Sequence, residues 1–124
     1  PYNEDYVYFG GYETEQGMRG CEYLMNLPSP PTAIFSISDI IAIGAMNYAL
    51  SKGYRIGKDL IFMGFDNIQY SHMFVPHLST VEQPCYAQGK LVIEKLIENM
   101  KATNPDHNLY TLPHSLVLRE STGD

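Results

Sequence analysis

The sequence predicts an α/β fold, a parallel sheet flanked by helices, and three observations carry that expectation. Short runs rich in apolar and β-branched residues alternate along the chain with longer segments of helical periodicity. The runs lack strict in–out alternation, which is the pattern of strands covered on both faces. The segments between them are long enough for right-handed crossovers joining parallel strands.

The first element is expected at 5–9, where Asp5 to Phe9 are mostly aromatic or β-branched and Gly10 and Gly11 close the run as a turn. A helix over 15–27 follows, because Met18, Cys21, Leu24 and Met25 recur at intervals of three and four, with Thr14 as its N-cap. Pro28, Pro30 and Pro31 stop it. A buried strand is expected at 32–37, then a helix over 39–52 capped by Ser38 and Asp39 and closed by Gly53. A third strand is expected at 60–65, a polar and aromatic loop through Pro76, and a short extended piece at 78–81. The most amphipathic helix is expected over 86–100, with Gly89, Ile93, Leu96, Ile97 and Met100 on one side and Lys90, Glu94, Glu98 and Asn99 on the other. A turn-rich connection at 103–108, one or two closing strands within 109–118 and a tail at 121–124 complete the chain. There is no internal repeat and no low-complexity segment.

The length of 124 residues suits one domain or a piece of one, and the start at Pro1 without an initiating Met reads as a fragment of a longer polypeptide. A hydrophobic content of 44% without a long uninterrupted apolar run points away from disorder and from a membrane span. With a formal charge of -6 the chain offers no basic stripe for phosphates, so any contact with nucleic acid is expected to lie outside it. Cys21 and Cys85 form neither a disulfide scaffold nor a metal knuckle, which favours a reduced, cytoplasmic protein.

Catalytic signatures are lacking. No GxSxG elbow, Walker loop or GxGxxG is present, and His72, His77, His107 and His114 fall in loops at irregular spacing, so no enzyme activity, cofactor or metal is expected. Ligands of parallel α/β sheets bind beyond the carboxyl ends of the strands. Tyr12 follows the first expected strand, Ser38 and Asp39 the second, and Asp66 and Asn67 the third. A ring that packs on C–H groups beside fixed acceptors for hydroxyl protons favours a polyhydroxy ligand. Taken alone, Ser38 and Asp39 suit helix caps better than a site, and Asp66 and Asn67 suit turn formers as well as a site. The 39–52 segment is apolar around nearly its whole circumference, so it needs cover on a second side, from another layer of the chain or from a partner subunit.

The stretch PTAIFSISDIIAIGAMNYALSKGYRIGKDLIFMGFDN, from Pro31 to Asn67, resembles the signature region of the LacI/GalR repressors. So do Pro76 and Leu78 to Pro84, similar to the family's PPLTTVxQP, and the ending LVLREST from Leu116 to Thr122. The resemblance covers nearly the whole chain and rests on the order and spacing of these motifs together. It implies that 1–124 is the C-terminal portion of the effector-binding and dimerisation domain, a partial periplasmic-binding-protein-like type I lobe. In that fold the helix 86–100 packs on the other, N-terminal lobe. The resemblance further implies a small-molecule effector, a sugar or sugar derivative, in the cleft between lobes, contacted by Tyr12, Ser38, Asp66 and Gln83. Ser38 departs from the family's usual Asn and is shorter. Ile40, Ile43, Met46, Asn47, Met73 and Phe74 match the family's homodimer interface, and operator DNA would be held by a separate headpiece. By itself the chain would leave a sheet edge and an apolar helix face uncovered, so an oligomer is expected. The competing expectation is a secreted sugar-binding protein of a transport system, which shares the fold but usually lacks the LVLREST ending.

Overall fold

The computed structural model describes residues 2–104 and 107–123. Three parallel strands, β1 (Ala33–Phe35), β2 (Ile61–Asp66) and β3 (Ser79–Glu82), lie side by side, with Ile34 opposite Phe62 and Gly64 opposite Thr80. A short β4 (Ser115–Val117) extends the order to β1-β2-β3-β4. Two helices belong to this sheet unit, α1 (Thr14–Met25) and α2 (Asp39–Ser51). A second compact unit runs from Gln83 to Ser115 and contains α3 (Cys85–Lys101).

The α2 helix starts where the sequence places it. Ser38 is extended and its Oγ accepts the Ile41 N–H at 3.4 Å, while Gly53 takes a φ of 83° just beyond the other end. Its second cover is α1, which packs closely along it. A Cβ at Gly17 would collide with the Ile41 carbonyl and one at Gly44 with the Thr14 carbonyl, so two glycines on facing helices let the backbones meet. Beneath them Cys21, Leu24, Ile34, Ala42, Ile43, Met46, Leu60, Phe62 and Leu78 form one buried cluster. Full burial of a side chain such as Phe62 or Leu60 contributes about 1.5–3 kcal/mol.

Several expected elements differ. Residues 5–9 are not a strand: Glu4–Tyr6 form a 3₁₀ turn capped by Asn3, and irregular chain follows. The Tyr6 hydroxyl donates to the Ser29 carbonyl at 2.7 Å and the Tyr8 ring lies 5.7 Å from that of Tyr23, so the tyrosines draw this segment over α1 and away from a strand partner. Glu13, not Thr14, occupies the N-cap of α1, without a side-chain capping bond. One closing strand of three residues stands where one or two were expected. Within the expected 103–108 connection, Pro105 and Asp106 lie outside the described residues. The expected tail is docked instead: Glu120–Thr122 is a 3₁₀ turn, and buried Ser121 donates to the Phe62 carbonyl at 2.7 Å while accepting the Ser79 N–H at 2.8 Å.

In the second unit α3 buries none of its residues, and Ile93, Leu96, Ile97 and Met100 are exposed. Lys95 lies 5.1 Å from the centre of the Tyr110 ring and bonds Glu98 at 2.7 Å. No helix among the described residues is long and apolar enough to cross a membrane.

Candidate functional site

Parallel strands end on the same side, so β1, β2 and β3 deliver their carboxyl ends to one edge. The Ser36 N–H extends the ladder past β1 by donating to the Met63 carbonyl at 2.9 Å. Ser38 and Asp39 come next. At the end of β2 the chain turns sharply, with φ of 109° at Asp66 and 54° at Asn67, both non-glycine residues in left-handed backbone. Asp66 also lies opposite Glu82 in register.

Asp39 is fully buried beneath this turn. Its Oδ1 accepts the Thr80 hydroxyl at 2.6 Å and its Oδ2 accepts the Ile68 N–H at 2.9 Å. Burial pushes the carboxyl above its usual range. The bonds from Thr80 and Ile68 oppose that shift, the negative charge of Asp66 adds to it, and the positive charge of Arg119 reduces it. The side chain therefore does not serve as the helix cap expected of it: it turns inward, because the loop after β2 needs an acceptor there.

Arg119, from the end of the chain, reaches the same turn. Its Nη2 donates to Asn67 Oδ1 at 2.7 Å, and its Nη1 donates to the Leu78 carbonyl at 2.6 Å and to Ser71 Oγ at 3.2 Å. Asn67 is held on its other sides as well. Its Nδ2 donates to Glu82 Oε1 at 3.1 Å and its backbone N–H to Thr80 Oγ1 at 3.3 Å. Asp39, Thr80 and Arg119 were not singled out by sequence reasoning as a joint support. Thr80 and Arg119 do lie within the LSTVEQP and LVLREST stretches, which was the available signal.

Of the expected effector contacts, Ser38 and Asp66 occur at the carboxyl edge, at the ends of neighbouring β1 and β2. Tyr12 is 75% exposed and precedes α1. It lines a cleft of about 470 Å³ whose other walls include Tyr8, Gln16, Phe35, Ser36 and Ile37, and to which neither Ser38 nor Asp66 contributes. Gln83 begins the second unit. Among the expected dimer residues, Ile43 (7% exposed) and Met46 (3%) are buried in this chain's own core, Ile40 is half-buried, and Asn47, Met73 and Phe74 are exposed. Both cysteines are free, and among the described residues no group of three or more His, Cys, Asp or Glu is arranged to hold a metal ion.

Sheet, helices and edge together define a parallel α/β lobe, the class in which small ligands dock at the carboxyl ends of the strands. The chain belongs to the periplasmic binding protein-like domain family, which it matches over residues 1–122, in the form found in LacI-family transcriptional regulators. It is 37% identical over 119 residues to the ribose operon repressor of Haemophilus influenzae, covering 96% of this chain and 36% of that protein. It is 33% identical over 117 residues to the transcriptional repressor CytR of Escherichia coli, covering 94% of this chain and 34% of that one. A LacI-family regulatory protein of Chloroflexus aggregans superposes with a TM-score of 0.87 at 34% identity, covering 98% of this chain and 44% of the other. The chain thus spans about a third of the length of the curated relatives it matches.

Proposed function

We propose that this chain is the C-terminal portion of the effector-sensing domain of a cytoplasmic, homodimeric transcriptional repressor, and that it carries no enzyme activity. The effector is a sugar or sugar derivative, bound between this lobe and a second one. The observation that carries the reading is similarity to repressors along nearly the entire chain, joined to a carboxyl edge where Asp66 lies on a left-handed turn. Similarity to repressors also favours this reading over a transport-system binding protein.

Asp66 accepts hydroxyl protons of the effector, Ser38 adds one hydroxyl contact, Tyr12 packs on the C–H face, and Gln83 lies where the chain crosses between lobes. Ile40, Asn47, Met73 and Phe74 form the dimer face, with Ile43 and Met46 shaping it from below. Effector binding shifts the relation between lobes, and through it the affinity of a separate DNA-binding headpiece for operator, only as far as the effector binds the two states unequally.

The test is calorimetry on the full natural polypeptide with a fixed panel of pentoses, hexoses, disaccharides, sugar phosphates and nucleosides. Asp66→Asn, which keeps the side-chain shape, removes a charged hydrogen bond of about 1.5–3 kcal/mol and weakens binding about 10- to 150-fold. Equal affinity in the variant overturns the assignment of Asp66, and binding of no panel member overturns the effector class.

A further inference from the structure

We infer that Arg119 is a positioning residue for the effector site: from the far end of the chain it holds, through Asn67, the left-handed turn that presents Asp66. The inference rests on the proposed role of Asp66.

Two consecutive non-glycine residues at positive φ occupy sparsely populated backbone, and such a conformation persists only where its surroundings over-determine it. Besides the bond from Asn67 to Glu82, two sets of bonds do so here. Asp39 and Thr80 take the N–H groups of Ile68 and Asn67 from below. From the side, Arg119 takes Asn67 Oδ1, the acceptor that Ser71 Oγ also approaches at 3.3 Å.

The guanidinium is itself locked. The Arg119 N–H donates to Ser79 Oγ at 2.7 Å, and the Arg119 carbonyl accepts from the same hydroxyl at 3.0 Å, which stitches the backbone to β3. One fork nitrogen then rests on the Leu78 carbonyl, leaving the other to meet Asn67. A planar fork spans both acceptors at once, whereas the single ammonium of a lysine cannot hold them in that geometry. The turn that carries Asp66 is therefore set partly by a residue 52 positions beyond Asn67.

The test uses the full natural polypeptide with Arg119→Lys, Asp66→Asn and the double variant. Three readouts are taken: amide hydrogen exchange, thermal unfolding, and calorimetry with D-ribose, D-glucose and sucrose as probes. Arg119→Lys is expected to speed exchange of the Asn67 and Ile68 amides about tenfold or more while leaving the Phe62 and Gly64 amides unchanged. It should also weaken binding of any probe that wild type holds by about tenfold, with no further loss in the Asp66→Asn background. Asn67→Gly is the second variant. Glycine tolerates the positive φ but gives up the side-chain bonds to Arg119, Glu82 and Ser71, so it should fold and lose at least as much as Arg119→Lys.

Unchanged exchange at Asn67 and Ile68 in Arg119→Lys, with unchanged exchange at Ile68 in Asn67→Gly, overturns the inference. So does a loss of affinity that adds in full to that of Asp66→Asn, because a residue acting elsewhere in the lobe would behave that way. If Asp66→Asn leaves binding intact, the assignment of Asp66 fails, and the exchange data still decide whether Arg119 holds the turn.

Discussion

Thr80→Val exchanges a hydroxyl for a methyl of nearly the same shape at a fully buried position, so its cost is that of hydrogen bonds alone. Thr80 Oγ1 donates to Asp39 at 2.6 Å and accepts the Asn67 N–H at 3.3 Å. Valine takes from the buried carboxylate one of two bonds, a charged one of about 1.5–3 kcal/mol. It also deprives the Asn67 N–H of its acceptor, which adds about 1 kcal/mol where the group is half-buried. The sum, about 2.5–4 kcal/mol, is a large share of the 5–15 kcal/mol that typically holds a domain folded. Thr80→Ser keeps the hydroxyl, loses one methyl and costs about 1 kcal/mol.

Urea unfolding followed by circular dichroism measures both variants, and pH sharpens the test. Burial holds the folded Asp39 carboxyl above its unfolded value, so the folded chain binds the proton more tightly. Stability is then fully present below the unfolded pKa and declines as pH rises through the folded one. Removing the Thr80 bond, which pulls downward, moves the folded value further up. The gap between Thr80→Val and wild type should therefore widen with pH across that interval and narrow where Asp39 is protonated. A Thr80→Val variant as stable as Thr80→Ser at pH 7, or a gap indifferent to pH, refutes the account of this network.

Gly44→Ala drives a methyl into the Thr14 carbonyl, and Gly17→Ala drives one into the Ile41 carbonyl. Each should destabilise by about 1–3 kcal/mol in thermal unfolding, outweighing alanine's better helix propensity, and a rise in Tm in either would show that the helices have room to part. Cys21 is buried, its thiol pushed up to about 12, whereas Cys85 is exposed. A colorimetric thiol reagent at pH 8 should therefore modify Cys85 in the folded protein and Cys21 only after denaturation. Equal rates at both thiols would contradict the packing of α1 on α2.

The order of strands and helices from 14 to 101 was legible because local signals agree with one another. The apolar spacing of 15–27, the prolines after Leu27, and Ser38 and Gly53 around α2 each act within a few residues. The choice between chain and partner as cover for α2 was open, since periodicity records how much apolar surface must be covered and not by what. Packing of α1 supplies that cover and places Ile43 and Met46 inside. Residues 5–9 show the opposite failure: their β propensity is real, but a strand requires a neighbouring backbone, and tyrosine contacts to α1 and Ser29 draw the segment elsewhere.

For the site, Ser38 and Asp66 could be placed at strand ends from sequence alone, because strand ends follow from hydrophobic patterning. By itself the sequence thus determined the fold class, the family resemblance and the edge at which ligands of such a sheet would dock. Tertiary structure alone decided that Asp39 points inward, that Asn67 is held by Arg119, and that the expected tail is docked through Ser121 on the backbones of β2 and β3. The reason is physical. A cap or a periodic face is set by neighbours in the chain, whereas a buried carboxylate and a left-handed turn are satisfied by whichever distant donors the folded chain brings to them.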